Sequence, residues 1–192
     1  SAGPNRARLS AFANRFASYV ALLDTGRDVI EGDAALPEQT YRSVRARFAG
    51  LEASGNWRLR AAGPMLDLQW RADLVRARNL DRGEPLPRIA PWRVGATLVW
   101  TEGPWSARLG FDHAGAQNRV PANTRATAAW TMWNLGLQYR QTLPAGGVNW
   151  YARVDNLTDR LAYSATSVLT TTAFPRAPLA GRSLRLGAQW VF

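Results

Sequence analysis

The chain has 192 residues, of which 46% are hydrophobic and 20% are charged, and its mean hydropathy is −0.26. It contains no Cys and no run of about 18 apolar residues, which excludes disulfides, thiolate metal sites and a transmembrane helix. The net charge of +10 comes from 24 basic residues that are all Arg, and their even spread along the chain argues against a nucleic-acid-binding run.

Hydrophobicity with a period of two predicts eight β-strands. The first lies near Arg8–Leu23, where both parities carry apolar residues, and the second covers Gln39–Arg60. In the second strand the apolar set Val44, Ala46 and Phe48 gives way to the opposite parity at Leu51. Because glycine tolerates an extra residue in a strand, this change predicts a β-bulge near Gly50.

From Leu66 onward, apolar and polar residues alternate cleanly. The remaining six predicted strands are Leu66–Leu74, Trp92–Trp100, Trp105–Asp112, Trp133–Arg140, Val148–Asp155 and Arg182–Phe192. A tilted strand needs roughly 9 to 11 residues to cross a bilayer, with lipid-facing and lumen-facing residues alternating. We therefore predict an all-β fold, an antiparallel segment of about eight strands from a transmembrane β-barrel.

The connections support this interpretation. Predicted short links cover residues 61–64, 102–104 and 141–147, and longer polar stretches cover 24–38, 79–88, 115–128 and 158–181. Outer-membrane barrels have short periplasmic turns and long extracellular loops, so both chain ends should lie on the periplasmic side. Tryptophans fall beside the predicted turns and indicate interfacial girdles: Trp57, Trp100, Trp105, Trp150 and Trp190 at one level, Trp92 and Trp133 at the other. A soluble β-sandwich, the alternative fold, has little reason for this placement.

The carboxy-terminal region carries a recognisable motif: Asp155, Asn156, Leu157, Thr158 and Asp159, then Tyr163, Ser164, Pro178, Gly181 and Arg182, followed by the amphipathic strand to Phe192. This motif resembles the carboxy-terminal signature of the TonB-dependent outer-membrane receptors. Two further stretches resemble upstream strands of that family: Leu86 to Pro91 with Arg93, and Ala46, Phe48, Gly50 and Glu52. The likeness covers essentially all 192 residues in the right order.

The resemblance implies residues 1–192 are the carboxy-terminal portion of a barrel of about 22 strands, with the plug domain absent from this piece. Ser1 to Arg6 contain no start methionine or signal core, which also suggests a processed or truncated piece. The implied function is TonB-dependent uptake of a scarce chelate, such as a ferric siderophore, haem, cobalamin or another metal complex. This chain would supply barrel wall and extracellular loops in the outer membrane of a Gram-negative bacterium.

The resemblance also implies partners: membrane lipid and lipopolysaccharide, the barrel-assembly machinery, the small-molecule chelate, and the TonB complex through the missing plug. No nucleic acid and no cofactor of its own is expected. Phe192, with Trp190 and Leu186 behind it, would be the assembly signal. A complete eight-stranded barrel with a structural or adhesion role remains the alternative function.

Parity places six arginines on the predicted lumen side: Arg71, Arg93, Arg108, Arg140, Arg153 and Arg185. They could favour anionic ligands. The simpler interpretation, which we prefer, is that they pair across strands with the inward carboxylates of Asp67, Asp73, Asp112 and Asp155.

An enzyme is the rival class, because barrel-wall hydrolases exist, and His113 is the only histidine. Its neighbour Asp112 must point to the opposite face of the strand and cannot orient it. The chain has no Gly-x-Ser-x-Gly turn. We therefore predict no catalytic and no metal site. The polar stretch with Ser164, Thr166, Ser167 and Thr170 to Thr172 is expected to be a solvated outer loop, with ligand contact as the alternative.

Overall fold

The structure is a computed structural model that describes residues 5–32 and 34–192. It is built almost entirely of antiparallel strands in one sheet, which confirms the predicted all-β class. The strands are β1 (Arg6–Glu31), β2 (Ala34–Arg60), β3 (Met65–Asn79), β4 (Glu84–Pro85), β5 (Arg93–Glu102), β6 (Trp105–Ala114), β7 (Trp130–Leu143), β8 (Gly146–Asp155) and β9 (Ser183–Val191). One helical turn, α1 (Leu169–Thr172), lies in the last long loop, and no helix of the described residues is long and apolar enough to span a membrane.

The strands pair in the order β1-β2-β3-β5-β6-β7-β8-β9, and the two-residue β4 pairs with the end of β3. Successive neighbours in sequence are therefore neighbours in the sheet, as expected of an up-and-down barrel wall. A complete eight-stranded barrel would require β1 to pair with β9, and the sheet order of the described residues contains no such pair. The sheet is an open segment, as predicted for part of a larger barrel.

The register separates the side chains onto two faces. On one, called here the apolar face, residues such as Leu68, Leu98, Leu109, Leu135 and Val154 lie in adjoining positions on successive strands. The other, the polar face, carries the aspartates and arginines of the alternate positions. Eight tryptophans lie on the apolar face, and Trp130 lies on the polar face opposite Ala114. Alternation from β3 to β9 thus agrees with the sequence pattern.

The predicted bulge at Gly50 is wrong. Strand β2 keeps an unbroken register with both neighbours through this residue, pairing with Phe12 and Val75. A Cβ at Gly50 would lie 2.5 Å from the Phe12 ring, so glycine is needed here for close packing.

The change of parity has a different cause: Val44, Ala46 and Phe48 are apolar residues on the polar face. They form a small core with Ala21, Leu23, Ala77, Tyr19 and two residues of the β4–β5 connection, Leu86 and Ile89. Leu86 is only 1% exposed. The β4–β5 connection folds onto the end of the polar face and buries Leu86 against Val44, Ala46 and Phe48. Burial under this connection, and not a bulge, explains why these three residues are apolar.

The loop predicted over residues 24–38 is also wrong, because β1 and β2 continue through it as one long hairpin. Pairing resumes after a register shift between Asp24 and Asp28 and runs to Glu31 and Ala34. Strand-forming residues such as Val29 and Ile30 lie in this extension. The other long connections, 80–83, 86–92, 115–129 and 156–182, lie at one end of the sheet, and the short links 61–64, 103–104 and 144–145 lie at the other.

Candidate functional site

The polar face is the candidate site because it concentrates charged side chains on one surface of the sheet, beside the small core that the β4–β5 connection covers. The register of β3 to β9 brings six arginines and four aspartates to it, namely Arg71, Arg93, Arg108, Arg140, Arg153, Arg185, Asp67, Asp73, Asp112 and Asp155. These are the residues that the sequence pattern grouped together.

Two ion pairs join residues that lie directly opposite one another on neighbouring strands. Arg58 of β2 contacts Asp67 of β3 at 2.5 Å between Nε and Oδ1, and a second guanidinium nitrogen lies 3.1 Å from Oδ2. Arg93 of β5 contacts Asp73 of β3 at 3.0 Å. Such cross-strand pairs fix the register and neutralise the carboxylates.

A third ion pair spans two strands. Arg71 of β3 bonds Asp112 of β6, although β5 runs between them. The intervening residue is Gly95, which pairs with both. A Cβ at Gly95 would lie 2.7 Å from Asp112 Oδ1 and 3.2 Å from Arg71 Nε. The missing side chain leaves the space in which the two charges meet.

Asp155 holds two arginines. Arg153 Nε lies 2.7 Å from its Oδ1 and Arg185 Nη2 lies 3.0 Å from its Oδ2, although Arg153 and Arg185 face each other in the register. One carboxylate between two guanidinium groups offsets their mutual repulsion and leaves a net positive charge at this position.

The remaining two arginines have no acidic partner among residues 5–32 and 34–192. Arg108 Nη2 donates to the neutral Oε1 of Gln69 at 3.0 Å, and the side chain of Arg140 makes no hydrogen bond or ion pair within the described chain.

Each aspartate of β3 to β9 on this face is thus bound to an arginine, but only Asp73, Asp112 and Asp155 have a cross-strand partner among the six predicted arginines. Asp67 is bound to Arg58 instead, and Asp155 also holds Arg153 of its own strand.

His113 lies on the apolar face. Its Nδ1 is 2.8 Å from the hydroxyl of Thr131, and its ring centroid is 4.9 Å from that of Trp92. Asp112 points to the polar face, where it is bound to Arg71. The two neighbours therefore form no acid–base pair, and no group of three or more metal-ligating side chains occurs in the part of the chain that the structure describes.

The motif after β8 forms a compact hydrogen-bonded turn. Asn156 is 3% exposed; its Nδ2 donates to the carbonyls of Arg160 (3.0 Å) and Ala180 (3.1 Å), and its Oδ1 accepts from the Arg160 amide at 2.8 Å. Asp159 Oδ1 accepts from the amide of Arg182 at 2.8 Å. Both ends of the last long loop are thereby fastened to β8 and β9.

The hydroxyl-rich segment of that loop mostly bonds to itself. Ser164 and Thr166 share a hydrogen bond of 2.9 Å, and the buried Thr170 donates to the Ser164 carbonyl at 2.6 Å. Thr171 instead lines a cleft of about 140 Å³ where several connections meet at the same end of the sheet. Arg82, Arg88 and Asn123 also line it. Sequence patterns gave no indication of this cleft, because its walls come from distant loops.

Comparison with known proteins assigns the fold to a family. A family model described as "TonB dependent receptor-like, beta-barrel" matches residues 2–157. The chain belongs to this family. It is also similar to a solved structure, the copper transporter OprC, with a TM-score of 0.80 and 20% identity. This likeness, which shows the fold alone, covers 100% of the chain and 29% of OprC, so the chain spans less than a third of that structure's length.

The family consists of outer-membrane proteins of Gram-negative bacteria, and this places the receptor chain in that membrane. Receptors of this family transport and do not catalyse, so the hydrolase alternative is set aside.

Proposed function

We propose that the whole receptor takes up a scarce metal chelate or cofactor through the outer membrane with energy from the TonB complex, and that this chain supplies barrel wall and outer loops. The family match over residues 2–157 is the observation that carries the proposal. In this arrangement the apolar face contacts lipid, and the polar face lines the lumen. The long connections then lie on the extracellular side, where a ligand arrives.

Charge supports an anionic cargo. Every aspartate of β3 to β9 on the polar face is bound to an arginine, and Arg108 and Arg140 are left without acidic partners in the described chain. Fixed positive charge on the wall of a narrow, poorly screened passage raises the local concentration of anions. These two arginines, with the pair around Asp155, are the proposed lumen contacts.

The cargo belongs to one of a few classes. Ferric siderophores, haem and cobalamin are the candidates that the resemblance implies, and the name of the copper transporter OprC adds copper complexes. The plug, through which TonB would act, lies outside this chain, whereas Phe192, Trp190 and Leu186 are proposed to contact the barrel-assembly machinery. Phe192 is fully exposed, so it is free to make such a contact.

Uptake by whole cells tests the proposal. Cells lacking the receptor gene and cells producing the full-length receptor are supplied with radiolabelled ferric siderophore, haem, cobalamin and copper complexes. We expect one class to enter only when the receptor is present, and its entry to stop when the proton-motive force is dissipated. Uptake of every class that is the same with and without the receptor would contradict the proposal.

Two double variants test whether positive charge on the polar face contributes to uptake. Replacing Arg108 and Arg140 together by Gln should reduce uptake of an anionic cargo severalfold, whereas the matched Lys double variant, which keeps both charges, should retain most of it. Equal uptake by the Gln and Lys variants would contradict a role for lumen charge.

A further inference from the structure

We propose that the unpaired edge of β2 at Gln39–Ser43, called here the open edge, binds an extended segment of another protein outside the cell by strand addition. This binding goes beyond uptake of a chelate, because the open edge lies past the end of β3 and takes no part in the proposed lumen contacts. From the proposed function it takes only the placement of the long connections outside the cell.

The open edge exists because β2 is longer than its neighbour β3. The last register pair between the two strands is Ala46 with Asn79. Beyond it only Arg45 is still bonded on that side: its carbonyl accepts from the Leu80 amide at 2.8 Å, and its amide donates to the Asp81 carboxylate at 2.7 Å. Within the described chain, the part of β2 that precedes Arg45 therefore pairs with β1 alone.

The backbone groups of the open edge point toward the side that β3 leaves empty. Alternate residues of a strand direct their N–H and C=O groups to the same side, so Gln39, Tyr41 and Ser43 share the orientation of Arg45. Both register shifts of the hairpin insert extra residues in β1, and the alternation therefore runs unbroken through β2. Within residues 5–32 and 34–192 these three residues have no backbone partner on that side. Such a row of unpaired groups is a template for one more strand.

The open edge has a defined length and direction. Pro37 has the same parity and no N–H, so it ends the row of donors toward the tip of the hairpin. Arg45 ends the row at the other side, because its backbone is already bonded. An added strand therefore takes the place in which β3 would continue, and it runs antiparallel to β2 as β3 does.

Two side chains of the open edge are suited to a peptide. Gln39 Oε1 is buried and accepts no hydrogen bond from the described residues, and Gln39 lines the cleft between the loops. A buried acceptor of this kind requires a donor, which an added strand can bring. Tyr41 is 73% exposed, so its ring offers apolar surface to a side chain of the added strand.

Charge along the hairpin specifies the order of charges in the partner. Residues 24–38 are the acidic part of a chain whose net charge is +10, and their charged residues are Arg27 against Asp24, Asp28, Glu31, Asp33 and Glu38. At the other end of the open edge Arg42 is exposed, and its side chain makes no hydrogen bond or ion pair within the described chain. Opposite charges attract across neighbouring strands. An antiparallel partner therefore carries an acidic residue first, beside Arg42, and basic residues after it, beside the acidic hairpin.

Binding of synthetic peptides to the full-length receptor in detergent tests this assignment. The matched peptide is a fluorescent strand-forming sequence of Val and Thr with a glutamate four positions ahead of a lysine, the spacing of Arg42 and Glu38. The control peptide has the same composition with the glutamate and lysine exchanged. Fluorescence anisotropy should show severalfold tighter binding of the matched peptide. Equal binding of the two peptides would overturn the predicted order of charges.

A third peptide tests main-chain pairing. It is the matched peptide with N-methyl groups on the alternate amides that face β2, so it keeps every side chain but cannot donate to the open edge. It should bind about tenfold more weakly or worse, because two or more backbone hydrogen bonds are lost. Undiminished binding would overturn strand addition.

Two receptor variants locate the binding on β2. Tyr41→Pro removes an N–H that points away from β1, which an edge strand tolerates, and it should weaken the matched peptide about tenfold. Tyr41→Thr also removes the ring but keeps the N–H, so it should bind severalfold more tightly than the Pro variant. Equal binding by the two variants would overturn the role of the open edge.

Hydrogen exchange at the amides of Gln39, Tyr41 and Ser43 shows what covers the open edge. These amides should exchange fast in the full-length receptor alone and slowly once the matched peptide is bound. Protection before any peptide is added would show that another part of the receptor occupies the edge, and it would overturn the proposal.

Failure here differs from failure of the uptake proposal. A receptor that binds the matched peptide but takes up no chelate would contradict uptake alone. A receptor that takes up a chelate but binds the matched and control peptides equally weakly would contradict the open edge alone.

Discussion

Arg71 and Asp112 form an ion pair across an intervening strand, over the bare Cα of Gly95. The contact links β3 to β6 on the polar face, so a single missing side chain joins strands that share no backbone hydrogen bonds. Period-two patterns place each of the three residues on the correct face but do not show that the two charges meet, since that depends on the space left at Gly95.

Replacing Gly95 by Val should break this contact. The new Cβ would lie 2.7 Å from Asp112 Oδ1 and 3.1 Å from the Phe111 carbonyl oxygen, so the carboxylate must move away. Because both charged groups are partly exposed, the expected loss of stability is small, about 1 kcal/mol. Thermal unfolding of the full-length receptor in detergent measures it.

Gly136→Val is the matched control. Gly136 lies on the same face in β7, and a Cβ there would meet its nearest neighbour, the Arg108 Cβ, at 4.0 Å. This variant should unfold at or above the parental temperature. Equal destabilisation by the two substitutions would show that the space over Gly95 has no special role.

Asn156 should be the residue that fastens the last long loop. Asn156→Ala removes three side-chain hydrogen bonds to backbone and leaves buried groups unpaired, at a cost of about 2 to 4 kcal/mol of local stability. Residues 157–182 should then be cut faster by trypsin, for instance at Arg160 and Arg176. The control is Asn123→Ala, at an exposed asparagine that also has a positive φ. Unchanged cleavage in Asn156→Ala would contradict this role.

Asp81 should give the β3–β4 connection a pH dependence. Hydrogen bonds from the Arg45 side chain and then from its backbone amide hold the pKa of Asp81 below its ordinary value. Because the pKa of Asp81 is lowered in the folded protein, its contact with Arg45 stabilises the connection fully at pH values above the ordinary Asp pKa of about 3.9. This stabilisation is lost as the pH falls through the lower pKa of the folded state.

The measurement is hydrogen exchange at the Leu80 amide, which donates to the Arg45 carbonyl at 2.8 Å. Parent receptor should be better protected than Asp81→Asn at pH 7, and the two should converge in acid once Asp81 is protonated. Glu84→Gln, at a longer ion pair of 3.7 Å with Arg82, serves as the control and should behave like the parent. A difference between parent and Asp81→Asn that is the same at both pH values would count against the contact.

Phe192 should matter for assembly. Phe192→Glu places a charge immediately after β9 and should reduce insertion into the outer membrane severalfold while secretion to the periplasm continues. Gln189→Glu adds the same charge on the polar face of β9 and should insert normally. Fractionation with antibody detection measures both, and normal insertion of Phe192→Glu would reject the assembly signal.

The sequence predicts β5 to β9 well, because each strand has one face in an apolar and one in a polar environment, and period two records this directly. Prediction fails where a distant segment changes the environment. Val44, Ala46 and Phe48 are apolar on the polar face because Leu86 covers them, and a local pattern shows only that the parity changes. The long β1–β2 hairpin was missed since its polar tip resembles a loop.

The candidate site, too, is predictable from the sequence only in part. The six polar-face arginines are found from parity alone, whereas their partners are only partly predictable. Cross-strand pairs such as Arg93 and Asp73 follow once register is known, but the shared Asp155 and the loop cleft depend on side-chain reach and on loops far apart in sequence.

Side chains of β3 to β9 are proposed to alternate between lipid and an aqueous lumen, and cysteine labelling along β7 measures this alternation residue by residue. This chain contains no Cys, so single cysteines can be placed in turn at Asn134, Leu135, Gly136, Leu137 and Gln138 of the full-length receptor in native membranes. We predict that a charged, water-soluble thiol reagent labels positions 134, 136 and 138, whereas a lipid-soluble reagent labels 135 and 137. Equal labelling of both sets by the water-soluble reagent, or the reverse pattern, would show that the two faces of β7 do not separate lipid from water.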